Sequence, residues 1–160
     1  MAVDMFLKVD GIDGESQDDK HAKEIDVLAW SWGMSQSGTM HMGGGGGSGK
    51  VAVQDVSVTK YVDAASNALM QFCCKGKAIP NVLLTVRKAG ENPLEYIKLT
   101  MQDCIVAAIS TGGSGGEDRL TENVTLNFAK FTYAYTPQKQ DGTGDAAKEC
   151  NWNIAGNVAM

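Results

Sequence analysis

The chain has 160 residues, 43% hydrophobic and 21% charged, with a formal net charge of −5. That length suits one domain with a real core, and an acidic balance without a basic patch excludes nucleic acid and anionic membrane as natural partners. No apolar run approaches the roughly 18 to 20 residues of a spanning helix, so no membrane insertion is expected. MAVDMFLKVDG lacks a basic n-region, a long apolar stretch and a small-residue cleavage site, which predicts a protein made in the cytoplasm without a signal peptide.

The pattern along the chain predicts mostly strand. VDMFLKVDG, residues 3–11, alternates and stops at glycine, and the acidic stretch IDGESQDDKHAKE reads as a solvated loop with His21 at its surface. IDVLAWSWGMSQ, residues 25–36, alternates with apolar side chains on both faces. Ile25, Val27 and Ala29 are expected on one side, and Leu28, Trp30, Trp32 and Met34 on the other. Residues 50–61 form the next strand, so the glycine-rich segment 37–49 is the tip of a long hairpin. One helix follows, with Asp63 as N-cap, Ala65, Leu69, Phe72 and Cys73 on one stripe, and Gly76 as the C-terminal stop.

From Val82 the chain returns to strands: NVLLTVRK, the turn AGENP, LEYIKLTMQ, then CIVAAIS closed by TGGSGG. In TENVTLNFAKFTYAYTP the apolar series Val124, Leu126, Phe128 resumes three residues on at Phe131, Tyr133 and Tyr135. That phase change predicts a β-bulge near Ala129 and Lys130, and the shift from Val53 to Val56 predicts another. Two bent strands favour a barrel or a strongly coiled sandwich. Residues 137–149 are expected to be a polar linker before a short final strand anchored by Trp152.

HMGGGGGSGK, residues 41–50, resembles a phosphate loop until it is counted. Gly44, Gly49 and Lys50 fit G-x-x-x-x-G-K-[ST], but Val51 stands where the magnesium-binding hydroxyl belongs. The loop also runs into a strand instead of the helix that would hold the anion. A hairpin loop this long needs another purpose. Met40, His41 and Met42 place adaptable apolar side chains beside Gly43, Gly44, Gly45, Gly46, Gly47 and Ser48, which suits a segment that conforms to another protein surface.

Other motifs carry no chemistry. His21 and His41 lie in no metal-binding or catalytic spacing. GGSGGED departs from the calcium repeat at Glu117 and occurs once. DGIDGESQDD has too few spaced carboxylates for a calcium loop. Cys73, Cys74, Cys104 and Cys150 fit no metal-ligand spacing and read as buried or half-buried free thiols. No catalytic, cofactor-binding or metal site is expected, and no enzyme.

The stretches MAVDMFLKVDGIDGES, IDVLAWSWGMSQSG, VQDVSVTKYVD, LTVRKAGEN and STGGSGGEDRLTENVTLNF resemble the haemolysin-coregulated protein (Hcp) family, the tube subunits of bacterial type VI secretion. The resemblance covers essentially the whole chain and is weakest from Gln138 onward. It implies a mainly β fold over residues 1–160, a single-domain β-barrel of two antiparallel sheets with one flanking helix, like a phage tail tube. It further implies a homohexameric ring with a wide channel, rings stacked into a tube inside a contractile sheath, a spike at the tip, and small effector proteins carried in the lumen. Secretion to the extracellular space or a target cell would then need no signal peptide.

Three expectations about surfaces follow. Residues 40–48 resemble the family's ring-stacking loop. Trp30 and Trp32, with Phe128, Phe131 and Tyr133 on the last long strand, are expected to serve core or ring interface. Ser110, Thr111 and Ser114 are small and polar, which suits a wet lumen surface. The competing readings are a monomeric small-ligand-binding β-barrel and, in a third class, a nucleotide-dependent enzyme.

Overall fold

The computed structural model describes residues 2–38, 40–42 and 49–160. Among the described residues nine strands and one α-helix follow in order: β1 Val3–Val9, β2 Ile25–Ser31, β3 Met34–Ser35, β4 Ala52–Val53, β5 Val56–Tyr61, α1 Ser66–Lys75, β6 Ile79–Lys88, β7 Leu94–Thr111, β8 Thr121–Tyr135 and β9 Lys148–Asn153. Six strands close a barrel in the order β5-β2-β1-β6-β7-β8, every neighbour antiparallel, with β5 returning to pair with β8. The fold is mainly β, a barrel with one flanking helix, as expected. The β5–β8 seam makes its wall one continuous sheet, and the second sheet is the short β3–β4 pair.

β8 is long enough to hold two partners along one edge. Thr121–Leu126 pair with β5, and Lys130–Tyr135 pair with β9. The barrel interior is filled by inward aliphatic side chains, among them Leu7, Ile25, Val56, Leu84, Leu99 and Leu126, all fully buried. A ligand-carrying barrel needs an internal cavity where these side chains pack.

Several expected elements take a different form. The strand predicted over 25–36 splits into β2 and β3, and β2 carries a bulge between Val27 and Ala29. The bulge leaves Leu28 exposed and turns Trp30 and Trp32 onto the core, so β2 is not apolar on both faces. The phase shift after the glycines is a strand break: Gln54 and Asp55 separate β4 from β5, and the Gln54 N–H donates to the Gly33 carbonyl at 2.9 Å. LEYIKLTMQ and CIVAAIS form one strand, β7.

β8 has no inserted residue near Ala129. The β7–β8 register runs unbroken from Ile97↔Tyr135 to Val106↔Leu126, and the bulge lies in β7, between Val106 and Ala108. The two strands instead change faces together. Met101 and Cys104, three apart, are buried opposite Phe131 and Phe128, with Asp103 at φ 54° between them.

α1 packs on β7. Its helical turns begin at Ser66, three residues after the expected cap, yet Asp63 Oδ1 still accepts the Ala65 N–H at 2.9 Å. Gly76 ends the helix at φ 60°, and the Gly76 and Lys77 N–H groups donate back to the Cys73 and Phe72 carbonyls. A left-handed residue there favours glycine.

The acidic segment before β2 is no loose loop. It folds on itself and straps onto the outer barrel wall. The Gly14 N–H donates to the Lys23 carbonyl at 2.7 Å and the Lys23 N–H to the Ser16 carbonyl at 2.8 Å. A Cβ on Gly14 would stand 2.5 Å from the Glu24 carbonyl oxygen, so only glycine fits. His21, expected at the surface, is buried and stacks on Phe6 with ring centroids 4.3 Å apart. Its Nδ1 and Nε2 lie 2.8 Å from Glu24 Oε2 and 2.5 Å from Glu95 Oε1. Arg87 grips both Asp18 oxygens, at 3.0 and 2.7 Å, and Asp4 at 3.0 Å.

These ion pairs give the strap an acid limit. The Arg87 hydrogen bond is the main cause holding the Asp18 carboxyl down at about 2, and burial opposes it. For Glu95 burial pushes upward, but the His21 and Lys98 hydrogen bonds outweigh it and the carboxyl is lowered. A depressed carboxylate contributes stability above its unfolded pKa and loses it as pH falls through the folded value. The strap's contribution is therefore expected to fade between about pH 4 and pH 2. Urea midpoints measured from pH 5 to pH 2 should fall across that window, and D18N should flatten the fall. An unchanged slope in D18N would contradict the assignment.

Candidate functional site

The hairpin base sets the site. β3 and β4 pair through Met34↔Val53 and Ser35↔Ala52, and peel off the barrel because β8 gives the corresponding part of its edge to β9. An apolar groove of two adjoining cavities, each about 330 Å³, opens between this hairpin and β9. Met34, Phe131 and Cys150 belong to both halves. Val53 and Trp152 extend one, and Trp30, Trp32 and Tyr133 the other.

The groove is floored by an aromatic cluster. Trp32 meets Phe131 edge-on at 4.8 Å and lies 6.1 Å from Tyr133 and 6.3 Å from Phe128. Phe128 and Phe131 are buried, so these two belong to the core. Trp30, Trp32 and Tyr133 are half-buried: each packs against the core and presents its remaining surface to the groove. Sequence reasoning missed the second wall, Cys150 and Trp152 on β9. The isolated Trp152 was its one signal.

Beyond the hairpin base, Met40–Met42 form a single 3₁₀ turn. Met40 is 79% exposed, the most exposed large apolar side chain described, and His41 is exposed beside it. Gly43, Gly44, Gly45, Gly46, Gly47 and Ser48 lie outside the described residues. Ser110 and Thr111 line an open polar cup of about 300 Å³ with Glu117, Thr121 and Asn123, and Ser114 is exposed on the same turn but does not line it. The structure does not bring this cup together with the apolar groove: they share no lining residue.

The thiols divide by environment. Burial first, then the Asp103 and Asp10 charges, push the Cys104 thiol up to about 12, which leaves it protonated and unreactive at neutral pH. Cys73 is half-buried. Cys74 and Cys150 are exposed, contrary to the expectation for all four: Cys74 lies on the outer side of α1, and Cys150 on the open wall of the groove. Among the described residues no cluster of His, Cys, Asp or Glu could hold a metal ion.

A closed six-stranded barrel with a flanking helix and a long hairpin leaving its wall is the arrangement to compare with known proteins. A family model described as "Type VI secretion system effector, Hcp" matches residues 6–135. The chain belongs to the Hcp family of type VI secretion tube proteins. Protein hcp1 of Pseudomonas aeruginosa is 61% identical over 160 residues, covering 99% of each chain. Among solved structures, Hcp1 from Salmonella typhimurium is 43% identical with a TM-score of 0.83, and each chain is covered in full. A structure described as a type six secretion system protein is 30% identical at TM-score 0.93, covering 99% of this chain and 100% of that one. A type VI secretion system effector from Yersinia pestis is 36% identical at TM-score 0.78, covering 94% and 99%. Membership makes this chain a structural subunit of the secretion tube and not an enzyme.

Proposed function

We propose that this Hcp chain closes into homohexameric rings that stack into the type VI secretion tube. In this reading it is made in the cytoplasm, works inside a contractile sheath with a spike at the tip, and leaves with the tube when the sheath contracts. A head-to-tail ring closes when each subunit offers two different complementary surfaces. The carrying observation is the apolar groove between the hairpin base and β9, where half-buried Trp30, Trp32 and Tyr133 still have surface to bury. Aromatic anchors of this kind dominate the energetics of protein interfaces. A filled barrel interior favours this reading over the monomeric ligand carrier.

Stacking is assigned to the loop 37–49, with Met40, His41, Met42, the glycines Gly43 to Gly47, and Ser48 as its contact segment. The exposure of Met40 supports this. The small, polar turn bearing Ser110, Thr111 and Ser114 is proposed as lumen surface, suited to binding and releasing varied small effector proteins. Deleting residues 43–47 is expected to leave rings of wild-type size and to abolish tubes and secretion. Electron microscopy of the purified variant and immunoblots of culture supernatant read both. Normal tubes from the deletion would remove the loop from stacking, and loss of rings would move it to the ring contact.

A further inference from the structure

Closing a barrel demands one register at the last pair, here β5 against β8. The inward residues are Val56, Val58 and Lys60 on β5 and Leu126, Val124 and Glu122 on β8, in that pairing order. A slip of one residue would turn the aliphatic side chains outward, so patterning excludes it. A slip of two residues sets Val56 against Val124 in one direction, and Val58 and Val56 against Leu126 and Phe128 in the other, so among these apolar partners the pattern does not oppose it. Lys60 would then face Val124 or Leu120, and Glu122 would face Val58 or Val62.

Lys60 and Glu122 are fully buried and directly opposite each other. Lys60 Nζ donates to Glu122 Oε1 and lies 3.0 Å from Asp63 Oδ1. Ser66 Oγ, on the first turn of α1, donates to Glu122 Oε1 at 2.5 Å. The group ties together both seam strands and the helix.

We propose that the Lys60–Glu122 pair is the register key of barrel closure and, resting on the stacking reading above, a positioning element for the hairpin loop. Only Gln54 and Asp55 separate β4 from β5, so a two-residue slip would carry the hairpin base about 7 Å along the barrel. Either slip leaves a charge buried without its partner, which a folded chain avoids.

The test reads the register by disulfide capture. Thr59 and Asn123 are outward partners in the observed register, with Thr59 Oγ1 donating to Asn123 Oδ1 at 2.8 Å. T59C is combined with N123C for that register, and with T121C or T125C for the two slips. Mass mapping counts each cross-link in the full chain, with the lock intact and in K60M/E122L, whose apolar replacements keep the seam foldable. The lock should confine cross-linking to the observed pair, and K60M/E122L should lower the native-to-slipped ratio at least about tenfold. E122Q, which keeps size and loses charge, should lower it by less. An unchanged ratio in both variants would overturn the proposal. Ring size is scored separately on the wild type, so failure of the ring reading leaves the register result standing.

Discussion

Replacing Lys60 alone by methionine is expected to destabilise the fold by about 3–5 kcal/mol, because it leaves the Glu122 carboxylate buried without its cation. Lys60 is fully buried and Glu122 is 1% exposed. Glu122 Oε2 already has no hydrogen-bond partner, so the loss falls on a group with little left to satisfy it. The double variant K60M/E122L should recover most of that loss, since apolar side chains of similar size can replace a buried ion pair at small or negative cost. Urea unfolding of the two single variants and the double variant gives the coupling directly. The same pair can therefore be nearly neutral in net stability and still choose the register. Additive single effects, with the double variant as unstable as their sum, would contradict this account of the seam.

Truncating Phe131 to alanine is expected to cost about 3–5 kcal/mol, the usual loss for a buried aromatic. Phe131 is 1% exposed, touches Trp32 and Phe128 edge-on at 4.8 and 6.4 Å, and lies under both halves of the groove. Its loss should let Trp32 sink and reshape the groove, so ring formation should fall even under conditions where the variant stays folded. Denaturant midpoints and sizing at low temperature separate the two effects. Full-size rings from folded F131A would place the ring contact away from this groove.

Much of the fold was legible because its strands follow simple rules. Alternation located β1, β6 and β8, and Gly76 marked the end of α1. What was hidden depended on partners distant in sequence. The β2 bulge at Leu28 is set by pairing with Thr59 and Lys60, so local alternation assigned Trp30 and Trp32 to the wrong face. The matched face change at Asp103 and Ala129 mimicked a bulge because one strand read alone cannot distinguish an inserted residue from a shared twist. His21 appeared exposed in an acidic stretch, yet Phe6, Glu24 and Glu95 enclose it from three parts of the chain. The Lys60–Glu122 pair spans 62 positions and had no local signature. The groove was half legible: its tryptophans on β2 stood out, while β9 entered only through Trp152.

The central claim is that this chain is built to associate with copies of itself in a ring. Light scattering on the purified chain, with negative-stain imaging of the same fraction, tests it most directly. The ring reading predicts a particle of roughly six times the 17.0 kDa chain, with a central hole in the images. A single species at 17.0 kDa, unchanged as concentration rises, would contradict it.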